Sequence, residues 1–282
     1  DGTTPSGTSA YEKRGIAVNV PQWNPDNCIQ CNFCSYVCPH GAIRPFAFTA
    51  DEAANAPEGM LTKAMTGMPD YKFGIQVSVL DCTGCGSCAN VCPGMKGEKA
   101  LEMKPIAEEL DRQKFFDYAV KLPEKDDVVA KFKETTVKGS QFKKPLLEYS
   151  GACPGCGETP YAKLITQLFG DRMYIANATG CSSIWGNSSP STPYTVNAKG
   201  QGPAWDNSLF EDNAEFGYGM LLAQNAIRTR LKKEVEELAE KDASVKDVAQ
   251  EWLDTFAVGA TNGAATDKLV AALADKTDDL SK

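Results

Sequence analysis

Residues 28–39 read CIQCNFCSYVCP, and the same pattern returns at residues 82–93 as CTGCGSCANVCP. Both copies follow C-x2-C-x2-C-x3-C-P, the ligand spacing of bacterial two-cluster 4Fe–4S proteins. The first three thiolates of a run can surround one face of a cluster from a single tight loop. The fourth, which precedes a proline, points away and binds the other cluster. The spacing therefore predicts one cluster on Cys28, Cys31, Cys34 and Cys92, and a second on Cys82, Cys85, Cys88 and Cys38.

Two other uses of these cysteines fit the spacing less well. A disulfide framework requires an oxidising compartment. Zinc sites use paired C-x2-C knuckles rather than runs of four cysteines. The duplicated pattern therefore favours electron transfer over either alternative.

The composition of the chain argues against several other classes of function. The chain has 282 residues, enough for about two domains. Its net charge of −8 argues against nucleic-acid or anionic-membrane binding. With no long apolar run or signal segment, and with eight cysteines in cluster runs, a reducing cytoplasm is expected. The single histidine, His40, nearly excludes imidazole acid–base chemistry and is expected to have a surface or packing role.

The composition divides the chain into four parts. Residues 1–20 form an N-terminal arm, and residues 21–105 form the two-cluster domain with an insertion at 39–81. Residues 106–148 are a charged connection with one or two surface helices. A new domain begins at residue 149. Because the chain starts at Asp1 rather than Met, we expect a segment of a larger protein.

In the first half of the chain, periodicity predicts a helix within 51–68 and a strand over 71–80. Short strands at 42–45 and 100–103 follow the two cysteine runs in equivalent places.

The second half begins with a predicted helix over 161–169 and a short buried strand over 173–177, as at the start of a doubly wound sheet. Residues 186–219 are expected to be a long loop, and residues 220–255 a helix with a break near 241–244. That helix carries an apolar stripe of Ile227, Leu231, Val235 and Leu238. A Gly/Ala loop and a short helix are predicted after residue 257.

Three cysteines remain outside the two runs. Cys153 and Cys156 form a C-x2-C knuckle, and Cys181 follows the predicted strand. Spacing alone leaves open a zinc knuckle, or a redox pair with one buried thiol. Three ligands are one short of a 4Fe–4S cluster, and the residues alone do not decide between these uses.

Three segments around these cysteines resemble a known enzyme family. They are CPGCGETP at 153–160, ATGCSSIWG at 178–186 and FEDNAEFG at 210–217. Together with the two upstream runs they resemble pyruvate:ferredoxin oxidoreductase of the large single-chain type. The resemblance implies an α+β ferredoxin-like two-cluster domain, followed by part of an α/β thiamine-diphosphate-binding domain at 149–282.

The resemblance also implies cofactors for the second domain. It assigns Cys153, Cys156 and Cys181 to a third 4Fe–4S cluster, and it places Glu158 and the Cys181 loop against thiamine diphosphate. The family's Gly-Asp-Gly motif for diphosphate and magnesium is absent from the sequence, as is a twelfth cysteine. The magnesium ligands and the fourth cluster ligand are therefore expected outside this chain. No catalytic residue is assigned, and the segment alone is expected to be inactive.

The implied reaction converts pyruvate and coenzyme A to acetyl-CoA and carbon dioxide, and passes two electrons to ferredoxin or flavodoxin. The family resemblance further implies a homodimer. Two alternatives stay open: an enzyme of the same family for another 2-oxoacid, and a stand-alone iron–sulfur electron-carrier subunit.

Overall fold

The computed structural model describes residues 4–277. Contacts divide the chain into two compact units, residues 1–213 and 214–282. Within the described residues the strands are β1 (Asn19–Trp23), β2 (Ile43–Phe48), β3 (Lys63–Ala64), β4 (Lys72–Val77), β5 (Leu101–Pro105), β6 (Tyr174–Asn177) and β7 (Ala204–Asn207).

The helices of the first unit are short. They are α1 (Phe33–Tyr36), α2 (Ala50–Ala54), α3 (Ser87–Val91), α4 (Ile106–Glu109), α5 (Gln113–Ala119), α6 (Asp126–Phe132), α7 (Val137–Ser140), α8 (Thr159–Phe169) and α9 (Cys181–Ser183). Turns of 3-10 helix lie at Thr8–Tyr11, Leu110–Arg112 and Gly170–Arg172, and one π-helical turn lies at Ile184–Ser188. The long helices are α10 (Asn213–Lys241), α11 (Lys246–Thr255) and α12 (Gly259–Leu273). None of the helices so described is long and apolar enough to span a membrane.

Three small sheets organise the first unit. β1 and β5 pair antiparallel, with Trp23 opposite Leu101. β4 lies between β2 and β3 in an antiparallel sheet, with Ile43 opposite Val77. β6 and β7 pair in parallel. The strands after the two cysteine runs, β2 and β5, therefore belong to different sheets.

The core of the first unit is built around the cysteine runs. Trp23, Phe73, Ile75 and Leu101 are buried together with Cys34, Cys38 and Cys88. Helices α1 and α3, one from each run, are neighbours. The apolar residues of β1, β4 and β5 thus pack with the three buried thiols.

The N-terminal arm is joined to sequence that lies far along the chain. The Gly7 N–H donates to the Tyr194 carbonyl at 2.7 Å, and the Ser9 N–H donates to the Thr192 carbonyl at 3.2 Å. The Ser9 hydroxyl also donates to the Glu148 carbonyl at 2.8 Å. The arm is therefore part of the packed first unit.

Several predicted elements of the first unit are confirmed. β4 lies within the strand predicted over 71–80, β2 and β5 overlap the two strands predicted after the cysteine runs, and α8 covers the helix at 161–169. The prediction of a helix within 51–68 is wrong beyond Ala54, where α2 ends. Pro57 and Gly59 follow, and the chain turns towards β3. The connection holds four helices rather than one or two.

Two predictions in the second half of the first unit need correction. β6 is not a buried strand, since Tyr174 is 58% exposed and the strand pairs with β7 alone among the described residues. The long loop at 186–219 is interrupted by β7, which forms because it extends the β6 ladder from Tyr174 to Asn177.

The second unit is a cluster of three helices. Val235 and Leu238 of α10 pack with Trp252 of α11 and Leu269 of α12. The predicted break is confirmed between α10 and α11, where the Asp242 carboxylate accepts from the Ser244 N–H at 2.9 Å.

Only half of the predicted apolar stripe lies in this core, because Ile227 and Leu231 are exposed. The predicted Gly/Ala loop is helical from Gly259, since Leu269 and Ala265 need a helix to reach the core.

Candidate metal centres

The first pocket is lined by cysteines from both runs. Its walls include the side chains of Cys28, Cys31, Cys34 and Cys92. It is backed by Trp23, Phe73 and Leu101. Three thiols therefore come from the first run and the fourth from the end of the second.

The second pocket repeats this arrangement with the runs exchanged. Cys82, Cys85 and Cys88 line it together with Cys38. The structure thus brings together the same two sets of four cysteines that the spacing predicts.

Both runs reach this geometry through the same backbone turns. The residues between the first and second cysteine, Gln30 and Gly84, have left-handed φ angles of 60° and 72°. In each run the N–H of this residue donates to the sulfur of the first cysteine, Cys28 or Cys82, at 3.4 Å. Such hydrogen bonds to cluster sulfurs are one way in which a protein adjusts the cluster's potential.

The first run adopts these turns without glycine. Gln30 and Asn32 stand where the second run has Gly84 and Gly86, and a left-handed non-glycine residue costs about 1 kcal/mol or more. Their side chains offset this cost. Gln30 donates to the Ala64 carbonyl at 2.8 Å and accepts from the Thr66 N–H at 2.9 Å. Asn32 donates to the Lys138 carbonyl at 2.9 Å.

Several thiols in the two pockets require a positive partner to ionise. Burial raises the pKa of Cys34 and Cys88 far above the ordinary thiol range, and it raises the pKa of Cys82 to about 12. Neighbouring thiols of the same pocket raise these pKa values further. A metal centre deprotonates a coordinating thiol outright. Four thiols that line one pocket, some of them buried, therefore fit a 4Fe–4S cluster in each case.

His40 is buried beside the second pocket. Its Nδ1 donates to the Ser150 carbonyl at 3.1 Å, and the ring forms part of the pocket wall. Burial lowers the pKa of His40 below its ordinary value, so the ring is neutral at pH 7. Of the surface or packing role that was predicted, the packing role agrees with this burial and this hydrogen bond, whereas a surface position is wrong because the side chain is 2% exposed.

The third set of cysteines lies on two loops that are held together by side chains. Cys156 N–H donates to the Cys153 carbonyl at 3.0 Å in a tight turn. The Trp185 indole N–H, beyond Cys181, donates to the Glu158 carboxylate at 3.3 Å. Cys153 and Cys181 are exposed and Cys156 is half-buried. Among residues 4–277, no three His, Cys, Asp or Glu side chains converge as a single metal ion would require.

The turn of the third set lies against the second pocket. A Cβ added to Gly155 would be 3.7 Å from the Cβ of Cys85 and 3.9 Å from the Ser87 hydroxyl. The backbone between Cys153 and Cys156 is therefore in near contact with the run that lines the second pocket. No equivalent approach is made to the first pocket by the described glycines of this turn.

Helix α8 packs with its polar face inward. Lys163, Thr166 and Gln167 are buried, whereas Tyr161 and Ile165 are exposed. Gln167 accepts from the Gln141 amide at 3.0 Å, and Gln141 accepts from the Ser35 hydroxyl at 2.9 Å. The Lys163 ammonium donates to the Ser35 carbonyl. Sequence reasoning did not single out Lys163, since a lysine between apolar helix residues gives no signal that it is buried.

Comparison with known proteins agrees with this geometry. A family model described as a 4Fe-4S dicluster domain matches residues 27–95. The chain is 57% identical over 259 residues to pyruvate-flavodoxin oxidoreductase of Enterobacter agglomerans, which covers 90% of this chain and 22% of that protein. It is 58% identical over 260 residues to pyruvate:ferredoxin oxidoreductase of Moorella thermoacetica, with the same coverage of both chains.

A third relative differs in its name. Pyruvate dehydrogenase [NADP(+)], mitochondrial, of Euglena gracilis is 48% identical over 282 residues, which are 98% of this chain and 15% of that protein. The chain thus spans about a fifth of the length of the first two relatives. Over about nine-tenths of its length, the chain is similar to a segment of pyruvate-flavodoxin and pyruvate:ferredoxin oxidoreductases, and it carries a 4Fe-4S dicluster domain.

Proposed function

We propose that this chain is the electron-relay and thiamine-adjacent segment of an enzyme that oxidises pyruvate. The overall reaction would convert pyruvate and coenzyme A to acetyl-CoA and carbon dioxide, with two electrons passed to ferredoxin or flavodoxin. High identity to relatives that carry these names supports the proposal. Thiamine diphosphate supplies carbanion chemistry, and 4Fe–4S clusters supply one-electron transfer.

In this proposal the eleven cysteines form three ligand sets. Cys28, Cys31, Cys34 and Cys92 hold one cluster, and Cys82, Cys85, Cys88 and Cys38 hold the next. Cys153, Cys156 and Cys181 contribute three ligands to a third, whose fourth ligand is not among the cysteines of this chain. Glu158 and the Cys181 loop border thiamine diphosphate, with the magnesium ligands elsewhere.

The near contact between Gly155 and Cys85 is the observation that carries the proposal. It makes the Cys82 set the neighbour of the third set, and it leaves the Cys28 set at the far end. Electrons from the thiamine side would then pass the third, second and first sets in that order. The partner protein would accept them next to the first set.

Pyruvate oxidation by the anaerobically purified whole enzyme, of which this chain is a segment in the proposal, tests the proposed function. We expect coenzyme A-dependent reduction of ferredoxin with pyruvate as the electron donor. The Cys181→Ala variant should keep both clusters of the two runs and lose at least about tenfold in ferredoxin reduction, because its third ligand set is broken.

Ser182→Ala is the matched control for Cys181→Ala, since it changes the next residue without removing a ligand. It should reduce ferredoxin nearly as fast as the unmodified protein. Zinc in place of iron at the third set, or full ferredoxin reduction by Cys181→Ala, would contradict the proposal.

A further inference from the structure

Lys163 brings a positive charge into the interior of the first unit. It is 1% exposed and lies on the inward face of α8. Its ammonium donates to the carbonyl of Ser35, which lies on α1 between Cys34 and Cys38. The aliphatic part of its side chain lies close to Gly41: a Cβ added to Gly41 would be 3.7 Å from Lys163 Cδ.

This ammonium has no carboxylate partner in the described part of the chain. The ion pairs formed there do not include Lys163. The neighbouring buried cation, Arg44, is paired with Glu148, so that carboxylate is already compensated. Because a buried charge without an opposite charge is strongly disfavoured, Lys163 needs another anion.

The groups that favour its charged form are thiols of the two pockets. Burial lowers the pKa of Lys163 to about 8, and the charges of Cys38 and Cys34 oppose that change. Cys34 lines the first pocket and Cys38 lines the second. A single ammonium is therefore within electrostatic reach of one ligand from each set.

We propose that Lys163 raises the reduction potentials of both 4Fe–4S clusters by stabilising the extra negative charge that each acquires on reduction. The inference rests on the proposed assignment of the two ligand sets. Its physical basis is that a nearby cation favours the more negative state of a redox centre, and that this effect is large where water is excluded. Lys163 acts through charge and does not bind a cluster.

Potentiometric titration of the anaerobically purified protein, followed by electron paramagnetic resonance, measures this effect for each cluster. In Lys163→Met and Lys163→Gln the equilibrium constant for reduction should fall by on the order of tenfold at both clusters, which for a one-electron couple corresponds to about 59 mV. Lys163→Gln can retain a hydrogen bond to Ser35, so it separates the charge from the hydrogen bond. Lys163→Arg keeps the charge and should leave both potentials close to their original values.

Lys144→Met is the control variant. Lys144 is exposed, and its ammonium also donates to a backbone carbonyl, that of Val196 at 3.0 Å. Its replacement removes a similar link from a site open to water, and both potentials should stay unchanged.

Iron and sulfide analysis distinguishes a wrong ligand assignment from a wrong inference about Lys163. If the unmodified protein lacks two clusters, the proposed ligand assignment is wrong. If both clusters are present but Lys163→Met and Lys163→Gln leave the potentials unchanged, the inference about Lys163 is overturned. It is also overturned if Lys163→Arg shifts them as much as Lys163→Met does, because packing rather than charge would then set the potentials.

Discussion

At the scale of single residues, the fourth cysteine of each run lies in the pocket of the other run. Cys38 lines the second pocket with Cys82, Cys85 and Cys88, and Cys92 lines the first. Loss of the fourth cysteine of a run should therefore damage the cluster that is held by the other run.

Cys38→Ala tests this exchange. We expect the cluster of the Cys82 set to be lost or converted to a 3Fe species, because that pocket keeps only three thiols. The cluster of the Cys28 set should stay intact. Electron paramagnetic resonance of the anaerobically prepared variant, with iron analysis, distinguishes the two clusters.

Cys34→Ala is the matched control, since Cys34 is also buried on the same run but lines the first pocket. It should give the opposite pattern. Damage to the same cluster by both variants would mean that each run holds its own cluster.

The sequence was sufficient to predict which cysteines line each pocket, but not the residues that support those cysteines. Cysteine spacing encodes the cluster geometry directly, because ligands close in sequence must reach one centre. Gln30, Asn32 and Lys163 depend on partners more than 30 residues away, at Ala64, Lys138 and Ser35. Such tertiary contacts leave no periodic signal in the sequence.

At the scale of elements, a tight turn follows Cys92, the fourth cysteine of the first pocket. Met95 and Glu98 exchange two backbone hydrogen bonds of 2.9 Å across it. Gly94 and Gly97 both have left-handed φ angles, of 60° and 85°. The two glycines differ in the free space around them. A Cβ on Gly94 would overlap the Glu98 carbonyl, whereas a Cβ on Gly97 would meet nothing within 4 Å.

This difference predicts unequal effects of two alanine substitutions. Gly97→Ala should cost only the left-handed strain, about 1–2 kcal/mol. Gly94→Ala should cost more and should reduce the occupancy of the Cys28 cluster, because the turn must move and Cys92 with it. Denaturant unfolding and iron content measure the two effects. Equal losses in both variants would mean that strain alone matters here.

Secondary-structure elements were predicted well where the hydrophobic periodicity of the sequence matches the side that is buried in the structure. β4 alternates and is buried in a sheet, so its strand was evident. Helix α8 was found as a helix, but its burial could not be predicted: Thr166 and Gln167 face inward because they bond Leu146, Ser140 and Lys143. The helical composition after Ala54 was misleading because Pro57 and Gly59 redirect the chain.

At the scale of the whole molecule, the second unit has its own hydrophobic core and none of the eleven cysteines. Trp252 lies at the centre of that core, and its indole N–H donates to the Thr266 hydroxyl at 3.0 Å. Stability of the second unit should therefore be separable from cluster content.

Trp252→Ala should destabilise the second unit by about 3–5 kcal/mol, because it removes a large buried side chain and leaves a cavity. The two clusters of the first unit should remain at full iron content. Calorimetry and iron analysis of the same preparation give both quantities. Leu222→Ala, which changes an exposed apolar residue of α10, should alter neither; iron loss in Trp252→Ala would contradict the separation.

The attachment of the N-terminal arm to Thr192 and Tyr194 has a consequence for biosynthesis. A ribosome completes residues 4–105 long before it adds the segment that the arm binds, and Lys163 also arrives late. Packing of the first unit is therefore incomplete while its cysteine runs emerge, and we expect Cys34 and Cys38 to become fully buried only after about residue 195 has left the exit tunnel. Alkylation of stalled nascent chains should show full protection of Cys34 and Cys38 only in chains longer than this; full protection in shorter chains would refute it.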